Sequence, residues 1–321
     1  MNTSSVLRQL LEKNVIAPPQ YETLEKLEKT RPISIHWEIR TIIGVGISLL
    51  TGGLGILIYK NIDTIGHQVI IFLIAVAIVF CGWYVFKKRL PYSNLAVKNP
   101  NPTADNLLLL GCSLFLILEG YLQYQYAFFG TQYGLATLIP AVLFFALAYR
   151  FDHLGVLTMA VTALVSWAGI TTTPLSILQD GVFSGDSNLI LTGISVGIVL
   201  MGVGQFLNFQ GIKPHFTFSF LSFGLNLLCI AAIYAAINND DDRAAYSVLC
   251  LLFSALAVWY ARREASFFFL LAGVVYGYVS FTILLSTLGN LEVGWIYYGF
   301  LSCGGVVAFF LNYKSILGVK K

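Results

Sequence analysis

The chain has 321 residues, of which 57% are hydrophobic and only 11% are charged, whereas a soluble domain carries roughly 25% charged residues. This number of charged residues is too small to cover the surface of soluble domains. The composition therefore excludes an ordinary soluble enzyme and predicts a polytopic, all-α membrane protein. The formal net charge of +3 gives no electrostatic basis for binding nucleic acid.

Residues 1–40 differ from the rest of the chain in their charge. They hold six Lys/Arg and five Glu residues, and no stretch among them is long enough to span a bilayer. A first short helix is predicted around Leu7 and Leu10, and a second follows Pro18 and Pro19, with Leu24 on its apolar face. We therefore predict two domains, a cytoplasmic N-terminal helical hairpin at 1–40 and a transmembrane domain at 41–321.

Ten apolar stretches follow, each separated from the next by a polar or Gly/Pro-containing break. Each is close to the length that a helix needs to cross the hydrocarbon core of a membrane. The predicted spans are Thr41–Tyr59, Gln68–Phe86, Asn106–Gln125, Gly134–Tyr149, Leu154–Ile170, Leu189–Leu207, Phe216–Ala236, Ala245–Tyr260, Phe267–Leu288 and Trp295–Leu311.

The distribution of Lys and Arg predicts the orientation of these spans. With ten spans, seventeen of the nineteen basic residues fall on the side of the N-terminal head, and only Lys60 and Arg243 fall on the other. Basic residues are retained on the cytoplasmic side. We therefore predict a multi-pass membrane protein with both termini in the cytoplasm and the lipid bilayer as its main partner.

Glu119, in the third span, is the one acidic residue that falls inside the ten predicted spans, and no basic residue does. An ionisable residue in hydrocarbon is costly and usually faces the bundle interior or a water-filled cavity. Cys112, Gln123 and Tyr126 lie on the same helical stripe as Glu119. A candidate intramembrane polar site is therefore predicted at Glu119, Gln123 and Asn226, the last being near the middle of the seventh span.

Two interpretations of Glu119 stay open at this point. It can be a structural acid, protonated or hydrogen-bonded, that ties its helix to a neighbour such as the one bearing Asn226. It can also be a proton or substrate site. Asn226 itself, like Gln205 in the sixth span, is interpreted first as an interhelical hydrogen-bonding group.

No catalytic, cofactor or metal site is predicted. The five cysteines, Cys81, Cys112, Cys229, Cys250 and Cys303, all fall inside spans, without a C-x-x-C pair, and are interpreted as buried free thiols. The four histidines have no metal-ligand spacing. The dipeptide Asp152-His153 is interpreted as a helix cap in a short cytoplasmic turn. The protein is therefore predicted to be non-enzymatic.

Several spans carry small residues four positions apart, a spacing that lets helices approach closely in lipid. The pairs are Gly193 with Gly197, Gly273 with Gly277, and Gly299 with Cys303. Intramolecular packing is the first interpretation, and a dimer face or a moving transport interface is the alternative.

The stretch Leu10-Leu11-Glu12-Lys13-Asn14-Val15-Ile16-Ala17-Pro18-Pro19-Gln20-Tyr21 resembles the head of the bacterial DUF2157 family of predicted membrane proteins. That head carries a "G-[LI]-[IL]-S-x-E-Q" turn, in which Asn14 and Ala17 here replace Gly and Ser. The resemblance continues through glycines 44–55 to Asn61-Ile62-Asp63, similar to the family's "N-W-D" exit with Ile62 for Trp. It implies a bacterial membrane protein without an assigned activity, so it supplies no catalytic residue.

Two functions are compatible with this pattern. The first is a transporter-like protein, because ten spans with both ends inside also describe the drug/metabolite exporter architecture, and a buried acid suits a coupling site. The alternative is a structural or sensory scaffold whose N-terminal hairpin docks a cytoplasmic protein partner. The substrate, if there is one, is not predicted.

Overall fold

Ten α-helices occupy the described part of the chain, and each coincides with one predicted apolar stretch. The computed structural model describes residues 17, 20–21, 36–97, 101–130, 132–172, 187–287 and 292–316. The helices are α1 (His36–Ile65), α2 (His67–Lys87), α3 (Pro102–Tyr126), α4 (Leu135–Phe151), α5 (Leu154–Thr172), α6 (Ser187–Phe209), α7 (Thr217–Asn238), α8 (Arg243–Glu264), α9 (Phe267–Ser286) and α10 (Glu292–Ile316). A 3-10 helix, Pro214–Phe216, precedes α7. These ranges contain no strand, so the described chain is all-helical.

Within the described ranges, seven helices are long and apolar enough to cross a membrane. They are α2, α3, α5, α6, α7 together with the preceding 3-10 helix, α8 and α9. Two shorter apolar helical segments, Thr41–Leu57 within α1 and Leu135–Phe151, accompany them. The predicted N-terminal hairpin lies outside the described residues, apart from positions 17, 20–21 and 36–40.

The outer faces of the helices are apolar. On α2, Phe72, Val79 and Phe80 are each more than half exposed, and on α6 the same is true of Val199 and Phe206. A soluble protein rarely exposes contiguous apolar surface of this extent, because it would associate or aggregate. In a bilayer the same side chains lie against lipid, so the exposed surface agrees with an integral membrane protein.

Helix α7 lies at the centre of the described core. Two units divide the chain, Met1–Ile56 and Leu57–Lys321, and this core belongs to the second. Half of the most apolar part of α7 is buried, against a third or less in each of the other six long apolar helices. It packs on α5, α6, α8 and α9. The remaining contacts form mostly between chain neighbours, as in α2 with α3, α4 with α5, and α8 with α9.

The closest helix crossing is between α6 and α7, where two glycines meet. A Cβ atom placed on Gly224 would lie 2.6 Å from the carbonyl oxygen of Gly197, and one on Gly197 would lie 2.8 Å from that of Gly224. Gly273 of α9 similarly approaches the Ser254 carbonyl of α8, at 2.8 Å from a placed Cβ. Intramolecular packing is thus confirmed for these glycines, whereas Gly299 has nothing within 4 Å of its placed Cβ.

The cysteines of the described core are structural. Cys81, Cys112, Cys229 and Cys250 are buried and free, as the sequence predicts. The side chain of Cys303 lies outside the described part of the structure. Burial among apolar neighbours leaves these thiols to act as small hydrophobic groups.

Candidate functional site

Glu119 is buried in α3 and is only 7% exposed. Its Oε2 atom has no hydrogen-bond partner among the described residues. One helical turn earlier, Phe115 contacts Phe144 of α4 edge to face, with ring centroids 6.0 Å apart. Because residues four apart share one side of a helix, Glu119 lies on the side of α3 that faces α4.

The opposite side of α3 packs on α2, mostly through apolar side chains. Leu114 packs with Ile70 and Ile74 of α2 in a separate small cluster. The acid therefore lies on the inward side of the helix, where an unpartnered carboxyl oxygen is unfavourable unless it is protonated or meets a ligand. Tyr126, the last residue of the predicted polar stripe, is half exposed. The stripe is therefore buried at Glu119 but exposed at the C-terminal end of α3.

Gln123 stabilises the turn after α3, and no hydrogen bond joins it to Glu119 among the described residues. Its Oε1 accepts a hydrogen bond from the backbone N–H of Phe129 at 2.9 Å, and its Nε2 donates to the carbonyl of Gly130 at 3.2 Å. In this turn Ala127 adopts a left-handed conformation, with φ of 45°. The amide thus fastens a tight turn between α3 and α4.

Asn226 is a hydrogen-bonding group between helices. Its Nδ2 donates to the Ser222 carbonyl within α7 at 2.7 Å, and its Oδ1 accepts from the Tyr276 hydroxyl of α9 at 2.5 Å. The structure therefore bears out the interhelical interpretation of this side chain. It does not form the suggested tie to Glu119, since α3 packs on α2, α4 and α5, whereas α7 packs on α5, α6, α8 and α9.

Gln205 lines a lateral groove of about 340 Å³ between α6, α7 and α8. Apolar side chains, including Met201, Phe253 and Trp259, form most of the groove wall. The surroundings suit a lipid chain better than a polar ligand. Gln205 is therefore not brought together with Glu119.

Sequence reasoning missed a group of buried hydroxyls between α8 and α9. Ser247, Ser254 and Ser280 are at most 3% exposed, and their oxygens have no hydrogen-bond partner among the described residues. Next to them the Cys250 thiol faces the carbonyl of Cys229 on α7 at 4.0 Å. The three positions 247, 250 and 254 repeat at helical spacing, and this small polar stripe was the available signal.

A second missed feature is an ionic cluster around Asp152, in the turn between α4 and α5. Its Oδ1 contacts Lys213 Nζ at 3.1 Å and His215 Nε2 at 2.6 Å, while its Oδ2 accepts from the backbone N–H of Val97 at 2.5 Å. The Lys213 side chain is only 1% exposed. His153 behaves as the predicted cap, because its Nδ1 accepts from the backbone N–H of Val156 at 3.1 Å in the first turn of α5.

No group of three or more His, Cys, Asp or Glu side chains in the described ranges could hold a metal ion. In the ionic cluster the Asp152 carboxylate already contacts the Lys213 ammonium and the His215 ring, a donor set that does not favour a further cation. The arrangement thus offers hydrogen bonding and charge compensation at this end of the bundle.

A comparison with protein families agrees with the membrane fold. The family described as a predicted membrane protein (DUF2157) matches residues 8–157, just under half of the chain. The matched segment contains Glu119 and Gln123 and ends before Asn226. No curated protein and no solved structure matches the chain.

Proposed function

We propose that the protein is a non-enzymatic carrier of the bacterial inner membrane, with ten spans, both termini in the cytoplasm, and Glu119 in its coupling site. The burial of Glu119, with one carboxyl oxygen unpartnered, is the observation that carries this proposal. Keeping a charged acid inside a membrane helix costs up to about 2.5–3.5 kcal/mol on insertion scales, the value for the helix centre. A group retained at such a cost is a functional candidate by default.

The charges at the helix ends support the proposed orientation. Lys87 and Arg263 lie in the last turns of α2 and α8. Each contacts a tryptophan one turn earlier, Trp83 at 4.8 Å and Trp259 at 6.0 Å from the ring centroid. Tryptophan and basic residues together are typical of a membrane boundary, and an excess of basic residues marks the cytoplasmic one.

The orientation is tested by labelling single cysteines introduced into a variant that lacks the native ones. Lys88→Cys and Arg263→Cys should react with an impermeant maleimide only after the cytoplasmic face is opened. Arg243→Cys should react in intact spheroplasts. Opposite sides for Lys88 and Arg263 would overturn the ten-span topology.

The coupling role is tested in proteoliposomes that enclose the pH-sensitive dye pyranine. Alkali cations, amino acids, sugars and organic cations are added in turn outside, and the internal pH is followed. We expect one class to change the internal pH with the unmodified protein and to have no effect with Glu119→Gln. Glu264→Gln is the matched control, because Glu264 is an acid whose side chain is 54% exposed at the end of α8.

The outcome separates a coupling acid from a structural one. If every class gives the same response with Glu119→Gln as with the unmodified protein, Glu119 does not couple transport. If the unmodified protein behaves like empty vesicles throughout, the carrier proposal is refuted.

A further inference from the structure

The end of the bundle that contains Asp152 has a hollow that is open to the outside and whose interior volume is only about 20 Å³, enough for about one water molecule. The loop after α2, the first turn of α3, the end of α4 and the turn before α7 surround this space. Its lining includes Lys88, Arg89, Ser93, Asp105, Arg150, Asp152 and Lys213. We refer to it as the basic hollow, because its wall carries four cations and two acids.

Asp152, which lines the basic hollow, already has three partners. Asp152 accepts from Lys213 and His215 through one carboxylate oxygen and from the Val97 backbone N–H through the other. Arg150 donates to the Leu90 carbonyl at 2.9 Å, which gives its charge no counterion. The single negative charge of Asp152 therefore compensates Lys213 and cannot also neutralise Lys88, Arg89 and Arg150.

Two cations at the mouth of the basic hollow are exposed. The side chains of Lys88 and Arg89 have no ion pair or hydrogen bond to any residue in the described ranges. Asp105, on the same wall, is the remaining acid and lies in the first turn of α3. The mouth thus holds two positive charges, Lys88 and Arg89, without an ion pair among the described residues. The neighbouring acid, Asp105, takes part in other interactions.

The wall of the basic hollow is held in place by the ionic cluster. Besides the Val97 contact to Asp152, the backbone N–H of Lys213 donates to the Asn94 carbonyl at 2.8 Å. The Lys213 ammonium also lies 5.3 Å from the centroid of the Tyr92 ring. These three contacts hold the loop after α2 in place. A ligand therefore loses less binding free energy to ordering the wall of the basic hollow.

We propose that the mouth of the basic hollow binds a phosphate-bearing anion through Lys88, Arg89 and Arg150. Arginine and lysine together are suited to phosphate, because guanidinium groups bind two oxygens and ammonium adds a point charge. The position next to Lys87 and Trp83 lies at a membrane boundary, where basic pockets between helices recognise phospholipid headgroups. A soluble phosphate has the same chemistry and is the other source of the ligand.

The experiment compares a double variant at the mouth with a charge-matched control. Lys88→Gln/Arg89→Gln removes two exposed cations from the basic hollow. Arg262→Gln/Arg263→Gln removes two exposed cations from the last turn of α8, which does not line the hollow. Both changes affect exposed side chains, so we expect both variants to fold.

The lipid arm uses native mass spectrometry of protein from mixed micelles with equal phosphatidylglycerol and phosphatidylcholine. The phosphate arm measures thermal unfolding in detergent with inorganic phosphate against chloride at equal ionic strength. We expect the unmodified protein to retain the anionic lipid or to be stabilised by phosphate. At about five-fold per cation, the mouth variant should lose roughly twenty-five-fold in affinity, and the control should change little.

Each result decides the proposal. Loss in the lipid arm alone identifies a headgroup site, and loss in the phosphate arm alone identifies a site for soluble phosphate. Two outcomes overturn the proposal. The first is equal anion binding by the mouth variant and the unmodified protein, which includes no binding by either. The second is a loss of affinity in the α8 control as large as that in the mouth variant, because the effect would then come from surface charge in general.

Discussion

Replacing Asp152 by asparagine tests whether the buried ionic cluster stabilises the bundle. The change keeps the shape of the side chain and removes its negative charge. Lys213, whose side chain is 1% exposed, then has a buried ammonium without a counterion. His215 and the Val97 N–H lose a charged acceptor in the same step. We therefore expect Asp152→Asn to lower the free energy of unfolding.

The size of the effect follows from the burial of both partners. Removing one member of a buried pair costs about 3–5 kcal/mol, because the other charge stays buried and unpaired. The hydrogen bonds to His215 and Val97 belong to the same network, so their loss does not add fully to this amount. With about 2 °C or slightly less per kcal/mol for a chain of 321 residues, the melting temperature should fall by roughly 5–10 °C.

The buried cysteines provide the assay. Cys81, Cys112, Cys229 and Cys250 are buried and free, so a thiol-reactive fluorophore reports their exposure as the protein unfolds in detergent. Asp241→Asn is the control, because Asp241 is an exposed acid in the turn between α7 and α8.

A second variant identifies the cause of the loss. In Asp152→Asn/Lys213→Met no unpaired charge remains, so a large part of the lost stability should return. Two results would refute the reasoning. One is an Asp152→Asn melting temperature within about 2 °C of the unmodified protein, and the other is a double variant no more stable than Asp152→Asn.

Two further changes test helix packing with the same fluorophore. Gly224→Ala should lower the free energy of unfolding by about 1–3 kcal/mol, because its Cβ would lie 2.6 Å from the Gly197 carbonyl oxygen. Gly202→Ala is the control and should not destabilise the protein, because a Cβ at Gly202 has nothing within 4 Å. Equal melting temperatures for the two variants would contradict the close crossing of α6 and α7. Tyr276→Phe should cost about 0.6–2 kcal/mol through the lost hydrogen bond between α7 and α9. Tyr124→Phe, at an exposed position, should cost nothing measurable, and an equal loss in both tyrosine variants would argue against that bond.

Hydropathy was sufficient to locate the helices but not their ends. The first predicted span covers Thr41–Tyr59, whereas α1 extends from His36 to Ile65. The extension includes Lys60, Asn61 and Asp63, which are polar and therefore fall outside an apolar window. A helix continues past the hydrocarbon as long as its backbone hydrogen bonds are satisfied, so its length exceeds that of the apolar run.

In the predicted polar site, the burial of a residue could be predicted from the sequence, but its partner on another helix could not. The burial of Glu119 could be predicted, because a single acid in an apolar run has few other places to lie in a membrane. The partner of Asn226 could not, since Tyr276 is fifty residues away and many tyrosines were equally eligible. Sharing a helical face predicts which side chains point the same way, but not which neighbouring helix they meet.

The ionic cluster at Asp152 shows why loop charges are the hardest to interpret from sequence. Counting basic residues treats each as solvated, yet Lys213 is buried against Asp152, 61 residues earlier in the chain. Its charge is compensated inside the protein and therefore contributes little to orientation. Sixteen other basic residues remain on the predicted cytoplasmic side against two on the other, so the orientation does not depend on Lys213. The same buried pair, by contrast, determines the shape of the basic hollow, which no count of charges could have indicated.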